Sequence, residues 1–204
     1  MKGGLHSPTG LRRAGRHGLR TRRLLAGFGL LAVVPLPAIT LADLDGDPKL
    51  SPKRYAGYFE HFGYEYSPVV QPADVFLARE KGDCDDYAAL ADRVLAPKGY
   101  GTRLIQVRVA GLTVDHVVCY VNEAKAYLDY NNRAVFLTLT HAGATIREIA
   151  TKVAKSFDAN WTSASEFTYK ENRKQWLATV VKTDPPERDP VAGQSGAVKI
   201  RLDF

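Results

Sequence analysis

The sequence contains few cysteines, only Cys84 and Cys119 in 204 residues, and they do not form a CxxC motif. At most one disulfide can therefore form, which excludes a disulfide-stapled scaffold and a cysteine-rich zinc site. A long apolar run is missing as well. The run near the N-terminus, Leu24 to Val34, has 11 residues, whereas a helix needs ~20 to cross a bilayer.

Acidic residues are absent from the first 42 positions, which hold seven of the 28 lysines and arginines. The other 21 basic residues face 22 acidic ones, so the formal charge of +6 belongs to the N-terminal segment. No other basic cluster is interleaved with aromatic residues, as a nucleic-acid-binding surface would be. We therefore expect no nucleic-acid partner.

Residues 1–42 have the order of parts that is typical of a cleaved signal peptide. A basic region ends at Arg23, the apolar run and two prolines follow, and small residues then stand where a signal peptidase reads. We expect cleavage after Ala42, with Ala38 as the second choice, by either the Sec or the twin-arginine route. The short apolar run disfavours an uncleaved anchor. The prediction is a periplasmic or secreted protein with no stable membrane insertion after cleavage.

The rest of the chain divides by composition into three parts. Residues 43–54 are polar and predict a linker, residues 55–183 predict one α+β domain, and residues 184–204 predict a loose tail rich in Pro, Gly and charge. Aromatic residues spaced three and four apart between 55 and 66 indicate a short helix packed on a core, with a carbohydrate-binding surface as the alternative. Further helices are predicted near 72–77 and at 144–157, and strands at 102–109, 116–121, 124–130, 166–169 and 176–181.

The clearest helix of the chain begins after Gly82-Asp83. Asp83 is a good N-cap, and Asp86, three residues later, completes a capping-box pattern. Apolar residues recur on one face of this helix, starting from Cys84, which places the thiol at the helix N-terminus and toward the core. The positive end of the helix dipole favours a thiolate there, whereas the flanking carboxylates oppose it. Activation of Cys84 therefore needs a histidine partner.

The hairpin after this helix predicts such a partner. If Asn122-Glu123 is its turn, paired residues have numbers that sum to 245, and His116 lies opposite Asp129. Their Cβ atoms would be about 5 Å apart on one face of the sheet. This is the arrangement that a histidine base and its orienting carboxylate require.

Strand alternation bears on the second cysteine. Cys119 points to the face opposite to that of His116, so a Cys84 that meets His116 would not reach it. We expect Cys119 to be a buried, unbridged apolar residue. A Cys84–Cys119 bridge is the alternative, and it would remove the nucleophile.

Three motifs carry a family resemblance: Gly82-Asp83-Cys84-Asp85-Asp86-Tyr87-Ala88, Asp115-His116-Val117-Val118 and Tyr127-Leu128-Asp129. Together they resemble the transglutaminase-like superfamily. The first motif is similar to the bacterial transglutaminase-like cysteine proteinases, which include periplasmic proteases that release surface adhesins. The resemblance spans roughly residues 70–131. A tryptophan that the family commonly has near these motifs is absent.

The resemblance implies a papain-like α+β fold, in which a cysteine-bearing helix packs on an antiparallel sheet that carries histidine and aspartate. It implies Cys84 as nucleophile, His116 as base and Asp129 as its orienter. The function would be a thiol peptidase or amidase acting on peptide or isopeptide bonds of a protein or peptide substrate through a thioester, with acyl transfer if an amine replaces water. The alternative is a catalytically silent periplasmic binding or scaffold domain of the same fold.

Two further features complete the predicted site. The backbone N–H of Cys84 is one oxyanion donor, and either Gln71 or Tyr66 is the candidate for the second. In the adhesin-releasing proteases, acidic residues beside the cysteine bind calcium, and Asp83 and Asp85 match those positions. Helix capping explains these two residues equally well. The predicted chemistry requires no cofactor, and calcium is the one ion that the resemblance implies.

Overall fold

The computed structural model describes residues 38–132, 139–171 and 173–182. The predicted signal peptide up to residue 37 and the predicted tail lie outside them. The helices are α1 Leu41–Gly46, α2 Pro52–Gly57, α3 Ala73–Arg79, α4 Cys84–Leu95 and α5 Ile146–Ser156, with short 3₁₀ turns at Ala96–Lys98 and Tyr130–Asn132. The strands are β1 Gly63–Tyr64, β2 Lys81–Gly82, β3 Thr102–Val109, β4 His116–Val121, β5 Ala126–Leu128, β6 Leu139–His141, β7 Trp161–Lys170 and β8 Arg173–Val181.

Six of these strands form one antiparallel sheet in the order β6-β5-β4-β3-β7-β8. The short strands β1 and β2 pair in parallel beside the start of α4. The predicted α+β class is confirmed, and a cysteine-bearing helix packs on an antiparallel sheet. Strands β3 and β4 have the predicted bounds, β7 and β8 are longer than predicted, and β6 was not predicted.

Apolar side chains on both faces of the sheet explain why helices pack against each face. One face presents Leu104, Cys119 and Leu128, and these pack in a core with α4 and the N-terminal helices. The other face presents Ile105 and Tyr120, which pack against α5. Strand alternation thus produces three layers, with a helix layer on each side of the sheet.

Aromatic residues fill the core beneath α4. Tyr55, Phe59, Phe62, Phe76 and Tyr87 are buried, with ring centroids that approach to 4.7 Å for Tyr55–Phe59 and 5.2 Å for Phe59–Tyr87. Core packing is therefore the correct interpretation of the aromatic stretch up to residue 62. The predicted helix is shorter than expected, because α2 ends at Gly57 and a turn follows.

The predicted linker over 43–54 is wrong. Helix α1 overlaps it, and both Leu44 and Leu50 are buried in the core. The Nζ of Lys98 donates hydrogen bonds to the carbonyl oxygens of Asp45 and Asp47, both at 2.9 Å, which ties the end of α1 to the 3₁₀ turn after α4. The polar composition misled the prediction because two leucines are enough to anchor a short segment.

The predicted turn of the hairpin is also wrong. Val121 pairs with Ala126 and Cys119 with Leu128, so the turn is four residues long, Asn122 to Lys125. Lys125 has a φ of 47°, in the left-handed region that such a turn requires. Paired residues have numbers that sum to 247 rather than 245. A change of two preserves which face each side chain occupies.

None of the helices in the described ranges is both long and apolar enough to cross a membrane.

Candidate functional site

The N-terminus of α4 holds Cys84 in place through a buried cap. The Asp83 carboxylate accepts hydrogen bonds from the backbone N–H groups of Asp85 at 3.0 Å and Asp86 at 3.5 Å, and from that of Ser67 at 2.9 Å. Burial raises the pKa of Asp83, although the bond from Ser67 opposes the shift. The predicted N-cap and capping box are confirmed. Cys84 is therefore the first residue of a helix whose start is held by hydrogen bonds to the first helical turn and to the segment around Ser67.

Asp86 fixes the segment in front of the helix. Its carboxylate accepts from the backbone N–H of Gln71 at 2.6 Å, from Gln71 Nε2 at 2.7 Å and from the N–H of Asp83 at 3.1 Å. Gln71 Nε2 also donates to the Lys81 carbonyl oxygen. The amide that we predicted as an oxyanion donor thus donates to Asp86 and to the Lys81 carbonyl oxygen. Gln71 is a positioning residue in this structure, and its prediction as a donor is corrected.

His116 and Asp129 are in contact, although not as directly opposed residues. Nε2 of His116 lies 2.9 Å from Oδ1 of Asp129. Asp129 directly follows β5, and in the observed register it is a diagonal neighbour of His116 on the same face of the sheet. The backbone N–H of Asn131 also donates to Asp129 Oδ1 at 2.9 Å. These bonds hold the carboxylate against the imidazole.

The environment of His116 favours its charged form. Burial is the largest single influence on the pKa of His116 and lowers it, since the ring is 5% exposed. The charge and hydrogen bond of Asp129, with further contributions from the thiol of Cys84, outweigh burial and raise the pKa from 6.5 to about 10. An imidazolium stabilised by a buried carboxylate is the expected form at neutral pH.

Cys84 and His116 meet at the end of the sheet. Cys84 belongs to the α4 layer, whereas the ring of His116 lies on the α5 side, where it contacts Phe157 with centroids 5.1 Å apart. Because His116 is the first residue of β4, its ring can reach around the strand end. Cys84 and His116 line one cavity, and the nearby thiol contributes to the raised pKa of His116. With Nε2 bonded to Asp129, Nδ1 is the ring nitrogen left for the thiol.

Cys119 is buried and unbridged, as predicted. The physical reason differs from the predicted one, because Cys119 faces the same layer as α4. Burial and then the nearby Asp92 carboxylate raise the pKa of Cys119. Asp92 stands eight residues after Cys84, about 12 Å along a helix that rises 1.5 Å per residue. The position of Cys119 beneath the far part of α4 therefore separates the two thiols.

Buried polar and charged side chains are concentrated around Cys84. Among the described residues, Asp83, Asp86, His116 and Asp129 are the buried side chains of polar or charged type. Burial of ionisable groups is costly unless partners compensate for it, and active sites are where proteins commonly accept that cost. His61, paired with Glu80, and His141 are exposed.

Two cavities open at Cys84. The first, of about 290 Å³, is called the polar cavity here; its walls include Tyr66, Ser67, Asp85, Gln106, Arg108 and Lys174. The second, of about 280 Å³, is called the apolar cavity; it contains His116 and is lined by Leu112, Val114, Asn131 and Phe157. Tyr64, Cys84, Val114 and Asp115 border both. A larger cavity of about 530 Å³ beside residues 69–74 contains neither Cys84 nor His116, so its size alone does not make it the site.

Sequence reasoning missed Lys174 and Gln106. Lys174 Nζ lies 2.8 Å from both Asp85 Oδ2 and Gln106 Oε1, which joins β8 and β3 to the start of α4. Gln106 Nε2 donates to Asp115, and Arg108 Nε bonds the same carboxylate at 3.1 Å. Lys174 lies 90 positions after Cys84 in the sequence, and neither Lys174 nor Gln106 belongs to a motif that includes Cys84. The sequence therefore carries no signal for this hydrogen-bond network.

Tyr66 borders the polar cavity, as the predicted oxyanion donor should, and Tyr64 and Tyr66 are about equally exposed, at 55% and 56%. Tyr64 borders both cavities, and its pKa is raised first by burial and then by the charge of Cys84. Tyr64 is therefore the better candidate for a side-chain donor beside the sulfur. The backbone N–H of Cys84 remains available as a first donor, because amides in the first turn of a helix have no partner within it.

The predicted calcium positions have protein partners. Asp83 caps α4, and Asp85 pairs with Lys174. Within residues 38–132, 139–171 and 173–182, no group of three or more His, Cys, Asp or Glu side chains has the geometry to hold a metal ion. Calcium at Asp83 and Asp85 stays a prediction, and the helix cap and the ion pair with Lys174 account for Asp83 and Asp85 respectively.

The fold and the site define a class: an α+β protein in which a buried histidine–carboxylate pair adjoins a cysteine at a helix N-terminus. No protein-family model matches the chain, and no curated protein matches it significantly. The geometry of these residues is therefore what indicates the function of the protein.

Proposed function

We propose that the protein is an exported thiol hydrolase that cleaves amide bonds of peptides or proteins through a thioester at Cys84. The observation that carries the proposal is the position of the His116 ring, which bonds Asp129 at 2.9 Å through Nε2 and lines the same cavity as the thiol of Cys84. A cysteine nucleophile, a histidine and a third group that orients it are the parts that such chemistry requires.

The reaction follows from these groups. Cys84 attacks the amide carbonyl carbon as a thiolate, paired with the imidazolium of His116, and forms a C–S bond, while the C–N bond breaks and the imidazolium transfers its proton to the leaving nitrogen. Water then attacks the thioester, His116 accepts its proton, and the C–S bond breaks to release a carboxylic acid. The N–H of Cys84 and the hydroxyl of Tyr64 would stabilise the oxyanion in both steps.

The proposed arrangement is papain-like and transglutaminase-like, with the nucleophile on α4 and the other two residues at the end of β4 and after β5. Export before the reaction is part of the proposal, from the signal-peptide pattern in residues 1–42. The competing function, a silent scaffold of the same fold, leads one to expect a closed or missing cleft. Two cavities that reach Cys84 favour the hydrolase.

Thiol labelling tests the proposal. The folded, unreduced protein should react with iodoacetamide at Cys84 near neutral pH, while Cys119 stays unmodified because it is fully buried. His116→Gln should slow this reaction and lower peptide hydrolysis by about 10²–10⁴-fold, the usual contribution of an acid–base residue. Cys84→Ala should abolish both.

His61→Gln is the matched control, since His61 is an exposed histidine outside both cavities at Cys84. Peptide mass mapping after alkylation identifies the labelled cysteine. Equal labelling rates in His116→Gln and His61→Gln, or hydrolysis that persists in Cys84→Ala, would refute the proposed function.

A further inference from the structure

The two cavities at Cys84 differ in chemistry, and only one of them contains His116. The apolar cavity holds Cys84 together with His116, whereas the polar cavity holds Cys84 without it. Any substrate that reacts at the sulfur must extend from Cys84 in these two directions. Each half of the substrate is therefore expected to match the chemistry of the cavity into which it extends.

The direction is set by the proton. During thioester formation the acyl carbon stays bonded to the sulfur, and the nitrogen leaves with the proton that His116 provides. The leaving nitrogen must then lie beside the imidazole, at the mouth of the apolar cavity. The acyl part extends the other way, into the polar cavity.

We infer, on the basis of the proposed function, that the apolar cavity is the specificity site for the leaving half of the substrate, so that the enzyme cleaves before an apolar residue. Leu112, which lines the apolar cavity alone of the two, and Val114, which lines both, are 43% and 41% exposed in the connection between β3 and β4. Phe157, at the end of α5, forms a further wall. Exposed apolar side chains gathered around a reactive group indicate a binding surface for apolar matter.

The polar cavity is expected to select little by the charge of the substrate. Lys174 is paired with Asp85, and Arg108 is paired with Asp115, at 2.8 Å and 3.1 Å. Charges that already satisfy each other leave little net field for a substrate charge, and the third carboxylate of the cavity, Asp83, is buried and bonded to backbone N–H groups. Selectivity is therefore expected mainly at the residue that follows the cut rather than at the residue that precedes it.

A mixture of peptides with randomised positions tests this inference, with the new N-termini identified by mass spectrometry. The wild-type protein should favour Leu, Val or Phe over Asp at the first position after the cut by at least about tenfold in kcat/KM. Leu112→Lys should admit Asp and Glu at that position and leave the residue before the cut unchanged. Leu177→Lys, on the exposed strand β8 outside both cavities, is the matched control and should change neither position.

The outcomes separate the two proposals. Cleavage that depends on Cys84 but shows no apolar preference after the cut, or the same preference in Leu112→Lys as in the wild type, overturns this inference and leaves the proposed function standing. An apolar preference before the cut reverses the assignment of the cavities and overturns it too. Absence of cleavage that depends on Cys84 overturns both the proposed function and the inference that depends on it.

Discussion

His116 and Asp129 are 5% and 1% exposed and form a buried pair in which each side chain depends on the other. Removal of one member leaves the other charge in a poorly solvated place, which typically costs about 3–5 kcal/mol. Here the imidazole can reduce that cost by losing its proton. The consequence is a stability contribution that depends on pH.

Asp129→Asn should therefore destabilise the protein most at low pH. The folded-state pKa of His116, about 10, lies above the reference value of 6.5, so the pair stabilises the fold fully below about pH 6.5 and loses this effect as pH rises toward 10. We expect a loss of up to about 3–5 kcal/mol below pH 6 and a much smaller loss near pH 10. Chemical denaturation at several pH values measures it.

Asp45→Asn is the control for this experiment, because Asp45 is an exposed residue of α1 away from the site. An NMR titration of the His116 ring should also show a lower pKa in Asp129→Asn than in the wild type. A difference in stability that does not change between pH 6 and pH 10 would contradict the expected coupling.

At the scale of elements, the site depends on how closely the turn before α4 approaches its neighbours. Gly82 ends β2, two residues before Cys84, and a Cβ built there would lie 2.5 Å from Asp86 Oδ2 and 2.6 Å from the ring of Phe76. Both neighbours have fixed positions, since Asp86 holds Gln71 and Phe76 is buried in the aromatic core. Only glycine leaves enough space here.

Gly82→Ala should consequently displace Asp86 or Phe76 and destabilise the fold by about 1–3 kcal/mol, the usual cost of overpacking. The start of α4 would shift with Asp86, so labelling of Cys84 by iodoacetamide should slow as well. Thermal denaturation and the labelling rate together measure the effect.

Gly57→Ala is the matched control, because no atom lies within 4 Å of a Cβ built at Gly57. It should leave stability unchanged or raise it by less than about 1 kcal/mol. Similar losses of stability in both variants would show that backbone freedom, rather than the space beside Asp86, explains the requirement for glycine.

At the scale of the whole molecule, the N-terminal helix belongs to the same core as the site. Thr40 and Asp43 form a capping box, with Thr40 N–H donating to Asp43 Oδ2 at 2.9 Å, and Leu44 is fully buried. Ile39 packs against the same core. Signal cleavage after Ala42, our first expectation, would remove the cap, whereas cleavage after Ala38 would keep it.

A chain that starts at Asp43 should therefore be less stable than one that starts at Ile39. Loss of the Thr40 cap alone is expected to cost about 0.5–2 kcal/mol, which lowers the melting temperature by several degrees. Scanning calorimetry of the two chains measures the difference. Thr40→Ala in the longer chain should reproduce part of it, and identical melting temperatures for all three proteins would contradict the role of the cap.

Local signals in the sequence were sufficient for the elements themselves. The cap at Asp83, the apolar stripe of α4 and the alternation in β3 and β4 depend on residues a few positions apart, so their periodicity can be read directly. The same alternation determined that His116 and Asp129 share a face. An error of two in the register did not affect this, because side chains in a strand alternate with a period of two.

Tertiary structure alone decided the contacts between distant segments. Gln71 was a plausible donor until the structure placed Asp86 against its amide, and Lys174 reaches Asp85 across 89 positions of sequence. The separation of Cys119 from Cys84 also depends on where α4 crosses the sheet, which strand parity does not determine. Such contacts depend on the packing of whole layers, and the physical reason that the sequence does not reveal them is that no local periodicity encodes how one layer is positioned on another.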